Sequence, residues 1–347
     1  MAGKEDVHLL CASNTRYIMP LTVMLTSVVC NYKSDRPLHI HVLTSDIEAA
    51  ARLELERVIG EMAREKVEIT FHWSPVDLSS FEAFFSQGDL KYISPDAYSR
   101  LLAPHVLPAD CEQVIYLDCD LVVLADLASL SDAANPEFAI SAVSNVWYPY
   151  VSSKLDAPPA LNTSSTSESD PVVFNYAELG IPPSNRYFQS GVLVINLKLW
   201  RERNVSERVF HYLAEHKDRV QFLDQGALNA VLFDDWFRLD QRWNQVSTSL
   251  LPERWVAPAY SRAEWISSRN SPFIVHYDGK YKPWNADYKK PRSSFFVRYL
   301  KMTPYWRRVD ISPFAKLESV IGYRAFYALW RLKRAAVGLL QTALRPA

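Results

Sequence analysis

The run VIYLDCDLVVL, residues 114–124, places two acidic side chains in the most apolar part of the chain. If one buried strand continues through the acids, Asp118 and Asp120 point to the same side, because strand side chains alternate with a period of two. Two carboxylates this close repel each other unless a cation lies between them, and burying them without compensation is costly. The run therefore predicts either a metal site or a strand end whose acids face solvent or cap the next helix.

Short β-rich runs alternate with helix-compatible stretches through the first half of the chain. The β-rich runs are VHLLCA from Val7, LHIHVLT from Leu38, VEITFHW from Val67 and QVIYLD from Gln113, and the helix-compatible stretches include residues 17–31 and 46–64. This alternation predicts right-handed crossovers and an α/β fold with a mainly parallel sheet. Ligands bind at the carboxyl ends of strands in such sheets, which would place residues 13–17 and 118–120 at one edge.

Composition narrows the class of protein. The chain has 347 residues, 48% hydrophobic and 22% charged, which is enough for a large buried core. A net charge of -1 gives no overall field that would recruit nucleic acid, so we expect no nucleic-acid partner. The four cysteines lie in or beside apolar runs without C-x-x-C spacing, which indicates a reducing compartment without disulfides or a zinc site. No uncharged apolar run approaches the ~20 residues that span a bilayer.

A second polar segment, HYDGKYKPWN at residues 276–285, follows the strand-like run PFIV. A neutral histidine with two carboxylates makes a mixed nitrogen and oxygen site, which suits Mn²⁺ better than the all-oxygen site typical of Mg²⁺. Lys282 offers a compact positive charge of the kind that binds phosphates. Each residue also fits a structural role, but together they predict a diphosphate site.

Two segments stand apart from the alternating pattern. Residues 151–171 are rich in Ser, Thr, Pro and acid, and we expect a mobile loop over 151–175. From Arg324 to the end there are five basic residues and no acidic ones, with apolar residues at roughly helical spacing. This tail predicts a basic amphipathic helix for an anionic membrane surface, and the alternative is a terminal helix packed on the domain.

Five segments in order resemble glycosyltransferase family 8, in particular its bacterial lipopolysaccharide α-galactosyltransferases. They are ASNTRY (12–17), AYSRL (97–101), YLDCD (116–120), YFQSGVLVINLKLWR (187–201) with LDQGALN (223–229), and HYDGKYKPW (276–284). The resemblance implies a Rossmann-like GT-A domain over residues 1–285 and a C-terminal helical extension over 286–347. It also implies a UDP-sugar donor, bound Mn²⁺ or Mg²⁺, and transfer of galactose or glucose, with retention of configuration, to a glycan or glycolipid such as lipopolysaccharide.

The resemblance also implies roles for single residues. The expected metal ligands are Asp118, Asp120 and His276, and Asp118 also belongs to the donor site. The residues expected on the nucleotide are Tyr17, stacked on uracil, and Asn14, on the base edge or ribose. The residues expected on the diphosphate are Lys282 and Gly279. The residues expected at the transferred sugar are Gln189, Arg100, Asp224 and Gln225, the last near the reacting carbon.

This chain departs from the family pattern at two of these positions. Asn14 stands where the family usually has Asp, and Gln189-Ser190-Gly191 stands where Asn-Ala-Gly is common, which leaves the sugar open. Because the amide of Gln225 is a poor nucleophile, we expect front-face attack, with Asp224 as a transient nucleophile the alternative.

A sugar-nucleotide pyrophosphorylase would need a glycine-rich loop, and ASNTRY has no glycine. A catalytically inactive UDP- and metal-binding protein at a membrane surface stays open as the alternative function. An active enzyme would act in the cytoplasm, peripherally at the inner membrane face, where a lipid-linked acceptor lies.

Overall fold

The computed structural model describes residues 5–63, 66–77, 95–152, 171–216, 218–246, 250, 253–256 and 259–343. The chain divides into two units, Met1–His276 and Tyr277–Ala347. The division falls inside the HYDGKYKPW run. The expected domain limit after residue 285 stays a prediction.

Strands in the described residues of the first unit form two sheets. Their bounds are β1 Val7–Ser13, β2 Leu38–Thr44, β3 Ile69–Pro75, β4 Gln113–Leu117, β5 Leu121–Val123, β6 Ile140–Ser144, β7 Phe188–Asn196, β8 Trp236–Arg238 and β9 Ile274–His276. The larger sheet has the order β3-β2-β1-β4-β7-β6-β8, and β5 pairs with β9 in the smaller one. β3, β2, β1 and β4 run parallel, whereas β7 is antiparallel to both of its neighbours. The expected α/β fold with a mainly parallel sheet is confirmed.

Helices cover both faces of the larger sheet. In the first unit they are α1 Ile18–Asn31, α2 Ala49–Ala63, α3 Ala103–Val106, α4 Leu127–Asp132, α5 Leu197–Glu202, α6 Val205–His216, α7 Asp224–Val231, α8 Glu253–Val256 and α9 Arg262–Asn270. Leu9 of β1 belongs to a buried apolar cluster with α1 and α2. Leu10, on the opposite face, belongs to a second cluster with α5, α6 and α7. Burial on both faces explains why these strands read as nearly continuous apolar runs.

The acidic pair does not lie within a strand. β4 ends at Leu117 and β5 begins at Leu121, so the backbone turns through Asp118 and Asp120 as it leaves the larger sheet for the smaller one. The expectation that strand alternation aligns the two carboxylates was therefore wrong. The strand ends because residues 121–123 take a different hydrogen-bonding partner, β9.

Polar side chains of α1 hold β5 in place. The hydroxyl of Ser27 accepts a hydrogen bond from the backbone N–H of Val123 at 2.8 Å, and the Asn31 amide donates to the Val123 carbonyl at 3.0 Å. In the β5–β9 register, Leu121 pairs with His276. This register brings the imidazole beside the acidic turn.

The ends of the expected mobile loop over 151–175 are anchored in the core. Val151, Val172 and Val173 are buried in the apolar cluster that contains Leu10. Residues 153–170 lie outside the described residues, so the mobility of this segment stays a prediction.

Four histidines form a cluster on one face of β1, β2 and β3, with ring centroids between 4.5 and 5.7 Å apart. The members of this histidine cluster are His8, His39, His41 and His72. Burial, reinforced by the neighbouring histidines, lowers the pKa of His41 to about 3. The pKa values of His8 and His72 are also lowered, with burial as the largest cause. The folded protein therefore favours the neutral imidazole at His8, His41 and His72.

The second unit contains α10 Ser293–Leu300, α11 Pro313–Ile321 and α12 Tyr323–Ala343. The fully buried carboxylate of Glu318 accepts hydrogen bonds from the Arg292 backbone N–H at 2.8 Å and from the hydroxyls of Ser293 and Ser294 at 2.8 and 2.7 Å. The bond from the Arg292 N–H satisfies a backbone donor at the start of α10, where no carbonyl of a preceding helical turn is available. Burial raises the pKa of Glu318.

α12 presents both charged and apolar side chains to solvent. Among the side chains of α12 that the structure describes, the exposed basic ones are Arg324, Arg331 and Lys333. Leu329 and Leu332 are 56% and 68% exposed, but Phe326 is buried, with its ring 5.9 Å from that of Phe314. Phe326, one of the apolar residues of the tail, packs within the unit because the aromatic ring of Phe314 lies beside it. No helix among the described residues is long and apolar enough to cross a membrane.

Candidate active site

Asp118, Asp120 and His276 form a triad: the two acids follow β4, and the histidine is the last residue of β9. Each residue offers a ligand atom within 4.8 Å of the other two. His276 Nε2 lies 3.1 Å from Asp120 Oδ1 and 3.8 Å from Asp118 Oδ2. The imidazole is buried, whereas the side chains of Asp118 and Asp120 are 25% and 13% exposed, so the triad is open on its acidic side. This mixed donor set fits the divalent cation that the sequence predicts.

The backbone of β7 packs directly against the triad at Gly191. The Asp118 N–H donates to the Gly191 carbonyl at 2.9 Å. A Cβ added at Gly191 would lie 2.4 Å from His276 Cε1 and 2.5 Å from Asp118 Oδ2. Only glycine permits this close approach of the β7 backbone to the triad. The approach was not predicted from the sequence, although a glycine inside a strand is a signal of close backbone packing.

Arg100 joins the triad to Asp224. Its buried guanidinium lies 3.1 Å from Asp118 Oδ1 and 3.0 Å from Asp224 Oδ2, and it donates to the Ser190 carbonyl. The guanidinium also stacks 4.2 Å over the ring of Tyr116, whose hydroxyl donates to Asp118 Oδ1 at 2.9 Å. Burial opposes the charge of Arg100, but Asp224, Tyr116 and Asp118 raise its pKa above the ordinary value. Arg100 therefore remains a fixed positive charge between two acids.

Asp224 is the first residue of α7 and is almost fully buried. Burial raises its pKa to about 6, Arg100 opposes that rise and Asp118 adds to it. Asp224 Oδ2 forms the ion pair with Arg100 but no hydrogen bond to the described residues. A buried acceptor is thus available for a ligand hydroxyl.

A tight turn before α7 places Asp224. Phe222 and Leu223 both have positive φ, 60° and 52°, a conformation that costs on the order of 1–3 kcal/mol for each non-glycine residue. A Cβ at Gly226 would lie 2.2 Å from the Gln221 carbonyl oxygen, so the helix needs glycine where the turn folds back. Nothing in the sequence indicates that these two bulky residues adopt positive φ.

Two glutamines contact the backbone of β7. Gln225 Oε1 accepts the N–H of Ser190 at 3.1 Å. Gln189 Oε1 accepts the N–H of Gly191 at 2.7 Å. Of the residues expected at the transferred sugar, Gln189, Gln225 and Arg100 thus contact the backbone of Ser190 or Gly191. Asp224 is joined to them through Arg100.

Asn244 is a site residue that was not predicted from the sequence. This buried amide lies 3.0 Å from His276 Nδ1 through its oxygen and donates to Gln189 Oε1 through its nitrogen. Nothing in the composition or spacing of the run QRWNQ distinguishes Asn244 from an ordinary core residue.

The expected nucleotide residues follow β1. Asn14 begins a short 3₁₀ turn that ends at Tyr17, and its oxygen accepts the N–H of Arg16 at 3.1 Å. Cys119 Sγ donates to the Ala12 carbonyl at 3.2 Å, so the end of β1 adjoins the acidic turn, as expected for parallel neighbours. The contacts of Asn14 and Tyr17 with uridine stay predictions.

Gly279 and Lys282 belong to the second unit. Gly279 has φ 79°, which favours glycine. Lys282 Nζ donates to the Tyr277 carbonyl at 2.9 Å. Their contacts with a diphosphate stay predictions.

Comparison with known proteins identifies related chains. The model of the family described as glycosyl transferase family 8 matches residues 8–288. General stress protein A of Bacillus subtilis is 26% identical over 88% of this chain and 96% of its own length. The lipopolysaccharide 1,3-galactosyltransferase of Salmonella typhimurium is 23% identical over 80% of this chain and 73% of its own. The structure of galactosyltransferase LgtC with donor and acceptor sugar analogs has a TM-score of 0.67 and 22% identity, and covers 87% of this chain and 99% of its own.

Proposed function

The chain belongs to glycosyltransferase family 8 and has the GT-A fold, and from that premise we propose that it is a metal-dependent, retaining hexosyltransferase that uses a UDP-sugar. One observation carries the proposal: a single buried arginine, Arg100, contacts both Asp118 of the triad and Asp224. The acids of the triad follow the carboxyl end of β4. A cation site and a buried acid for a sugar are the two parts that this reaction needs at adjacent positions.

The donor and acceptor follow from related proteins and from the site. The likeness to a lipopolysaccharide 1,3-galactosyltransferase supports a hexose donor, galactose first and glucose second, and a glycan or glycolipid acceptor. Gln189 and the buried carboxylate of Asp224 are the groups we assign to the sugar hydroxyls. The expected contacts of Tyr17 and Asn14 with uridine fit their place at the end of β1.

The reaction breaks the bond between the anomeric carbon and the β-phosphate oxygen and forms a bond from that carbon to the acceptor oxygen. A bound Mn²⁺ or Mg²⁺, held by Asp118, Asp120 and His276, would stabilise the charge that develops on the leaving diphosphate. The anomeric carbon becomes oxocarbenium-like, and the buried carboxylate of Asp224 supplies nearby negative charge. Arg100 keeps that carboxylate oriented.

Front-face attack is the pathway that the side chains favour. The Gln225 amide oxygen is a poor nucleophile and already accepts the Ser190 N–H. The acceptor hydroxyl therefore attacks from the face that the diphosphate leaves, and its proton passes to the departing phosphate oxygen. Asp224 as a transient nucleophile is the alternative. If Asp224→Asn binds UDP and keeps near-normal turnover, that alternative fails.

The second unit supports a membrane-surface location. Three exposed basic residues and two exposed leucines lie on α12, which suits electrostatic and apolar contact with an anionic bilayer. This contact would hold the enzyme at the inner face of a cytoplasmic membrane, where it meets a lipid-linked acceptor.

Hydrolysis of a panel of UDP-sugars, followed by NMR with Mn²⁺ and then with a chelator, tests the proposed function. We expect slow release of one α-configured sugar, and its loss on chelation or in Asp118→Asn. Asp132→Asn, which removes an exposed ion pair with Arg36, is the matched control and should hydrolyse the donor normally. UDP binding without turnover of any donor, with or without an acceptor panel, would instead favour an inactive binding protein.

A further inference from the structure

The hydrogen bonds behind His276 determine which of its nitrogens is free to bind a cation. A neutral imidazole carries its proton on one nitrogen only, and the partner of one nitrogen decides the state of the other. We propose that Asn244 is a positioning residue that holds His276 in the Nδ1–H tautomer, leaves Nε2 bare toward the two carboxylates, and couples this ligand to Gln189 at the donor sugar. This inference rests on the metal dependence in the proposed function.

The backbone N–H of Gly191 has only one possible hydrogen-bonding role. It lies 2.7 Å from the side-chain amide of Gln189, and a backbone N–H only donates. The atom that faces it must therefore be the amide oxygen, Oε1. If the amide were reversed, its NH₂ group would face the backbone N–H, and two donors would oppose each other.

The orientation of the Asn244 amide follows in the same way. Asn244 contacts Gln189 Oε1, so it must present its own nitrogen, Nδ2, to that oxygen. Its oxygen, Oδ1, then faces His276 Nδ1 at 3.0 Å. An amide oxygen only accepts, so Nδ1 must carry the proton. Asn244 and His276 are both almost fully buried, so water does not compensate for a reversed amide.

The chain of hydrogen bonds ends at the triad. Nδ1 donates to Asn244, and the other ring nitrogen, Nε2, lies 3.1 Å from Asp120 Oδ1. In the neutral imidazole that binds a cation, the proton on Nδ1 leaves Nε2 without one, so that Nε2 and the carboxylate oxygen both offer lone pairs to the cation. Histidine ligands in metal sites commonly donate their second nitrogen to a carbonyl or carboxylate oxygen, which orients the ring. Asn244 supplies that oxygen here.

The other end of the chain bears on the sugar. Gln189 Oε1 accepts from both Gly191 and Asn244, so the group that remains for a ligand is the amide NH₂. Gln189 would thus donate to a sugar hydroxyl. Because Asn244 touches both Gln189 and His276, a change at the sugar position should also change the affinity for the cation.

Substitutions at Asn244 separate its two contacts. Asn244→Ala removes both and should weaken Mn²⁺ binding about 10–100-fold, measured by electron paramagnetic resonance without turnover. Asn244→Asp keeps an oxygen for Nδ1 but opposes the oxygen of Gln189. It should retain Mn²⁺ affinity and raise the KM for the donor. Asn175→Ala is the matched control: Asn175 is equally buried and accepts the Tyr212 hydroxyl at 2.7 Å, away from the triad, so Mn²⁺ affinity should not change.

The tautomer itself is read by NMR of the full chain labelled with ¹⁵N-histidine and loaded with Mg²⁺, a diamagnetic ion. The His276 signals are assigned from a His276→Asn variant. We expect a protonated Nδ1 and a proton-free Nε2. A proton on Nε2 with Nδ1 bare, or wild-type Mn²⁺ affinity in Asn244→Ala, would overturn the inference.

The outcomes also separate this inference from the proposed function. If Mn²⁺ binding depends on Asn244 but no donor is turned over, the transferase proposal fails and the inference stands. If donor is turned over and Asn244→Ala binds Mn²⁺ normally, only the inference fails.

Discussion

Replacing Gly191 by alanine tests whether the proposed metal ligands pack against the backbone of β7. The new Cβ would lie 2.4 Å from His276 Cε1 and 2.5 Å from Asp118 Oδ2, whereas ordinary contact begins at 3.4 Å. Each ligand must therefore retreat by about 1 Å, or β7 must move away from both. The Asp118 carboxylate cannot move freely, because its other oxygen accepts hydrogen bonds from Arg100 and Tyr116.

The size of the effect follows from that displacement. Ligand distances in metal sites hold within about ±0.2 Å, so moving two of three ligands by about 1 Å should weaken Mn²⁺ binding at least tenfold. A misplacement of about 1 Å in an active site costs roughly 100-fold in rate, which corresponds to about 2.7 kcal/mol. Overpacking by one methyl group should also lower the free energy of unfolding by about 1–3 kcal/mol.

The assay is a Mn²⁺ titration by electron paramagnetic resonance, with urea unfolding of the same samples. Gly60→Ala is the matched control, because Gly60 lies within α2 and its added Cβ meets nothing within 4 Å. That control should leave Mn²⁺ binding unchanged and stabilise the fold by about 0.5–1 kcal/mol. A folded Gly191→Ala protein that binds Mn²⁺ with wild-type affinity would refute the close packing of β7 on the triad.

Three further perturbations test other parts of the molecule. Arg100→Lys keeps the positive charge but loses the planar guanidinium that contacts two acids and a carbonyl. We therefore expect kcat/KM to fall about 100-fold while UDP still binds, and an unchanged kcat/KM would contradict this role of Arg100. His41 has a folded-state pKa of about 3 against an ordinary 6.5, so its contribution to stability is present above pH 6.5 and is lost as the pH falls toward 3. The free energy of unfolding should therefore drop by about 2 kcal/mol from pH 7 to pH 5, and by less in His41→Leu. Equal urea midpoints of the wild type at the two pH values would exclude this contribution of His41. Replacing Arg324, Arg331 and Lys333 of α12 by Glu should release the protein from anionic vesicles in a flotation assay but leave donor hydrolysis intact. Persistent vesicle binding would count against the membrane-surface proposal.

Much of the fold and part of the site could be predicted from local pattern. The β-rich runs from Val7, Leu38 and Gln113 form strands of the sheet at nearly the expected bounds. The rule for carboxyl ends correctly brought the end of β1 next to the acidic turn. Asp118, Asp120 and His276 were expected together because their donor chemistry suits one cation, and the structure places them together.

The path of the backbone through the acids was not predictable in the same way. Apolar alternation on both sides of Asp118 and Asp120 is equally consistent with one long strand or with two strands separated by a turn. The choice depends on the partner of residues 121–123, which is β9, about 150 residues further along the chain.

The sequence by itself determined the order of strands and helices and the residue types at the site, because apolar periodicity and side-chain chemistry are local properties. Only the tertiary structure decided the β5–β9 register, the approach of Gly191 to the triad and the role of Asn244. Those features join segments far apart in the chain, and their distances depend on how sheets and helices pack. The tautomer of His276 belongs with them, since a backbone N–H on β7 determines it through two side-chain amides.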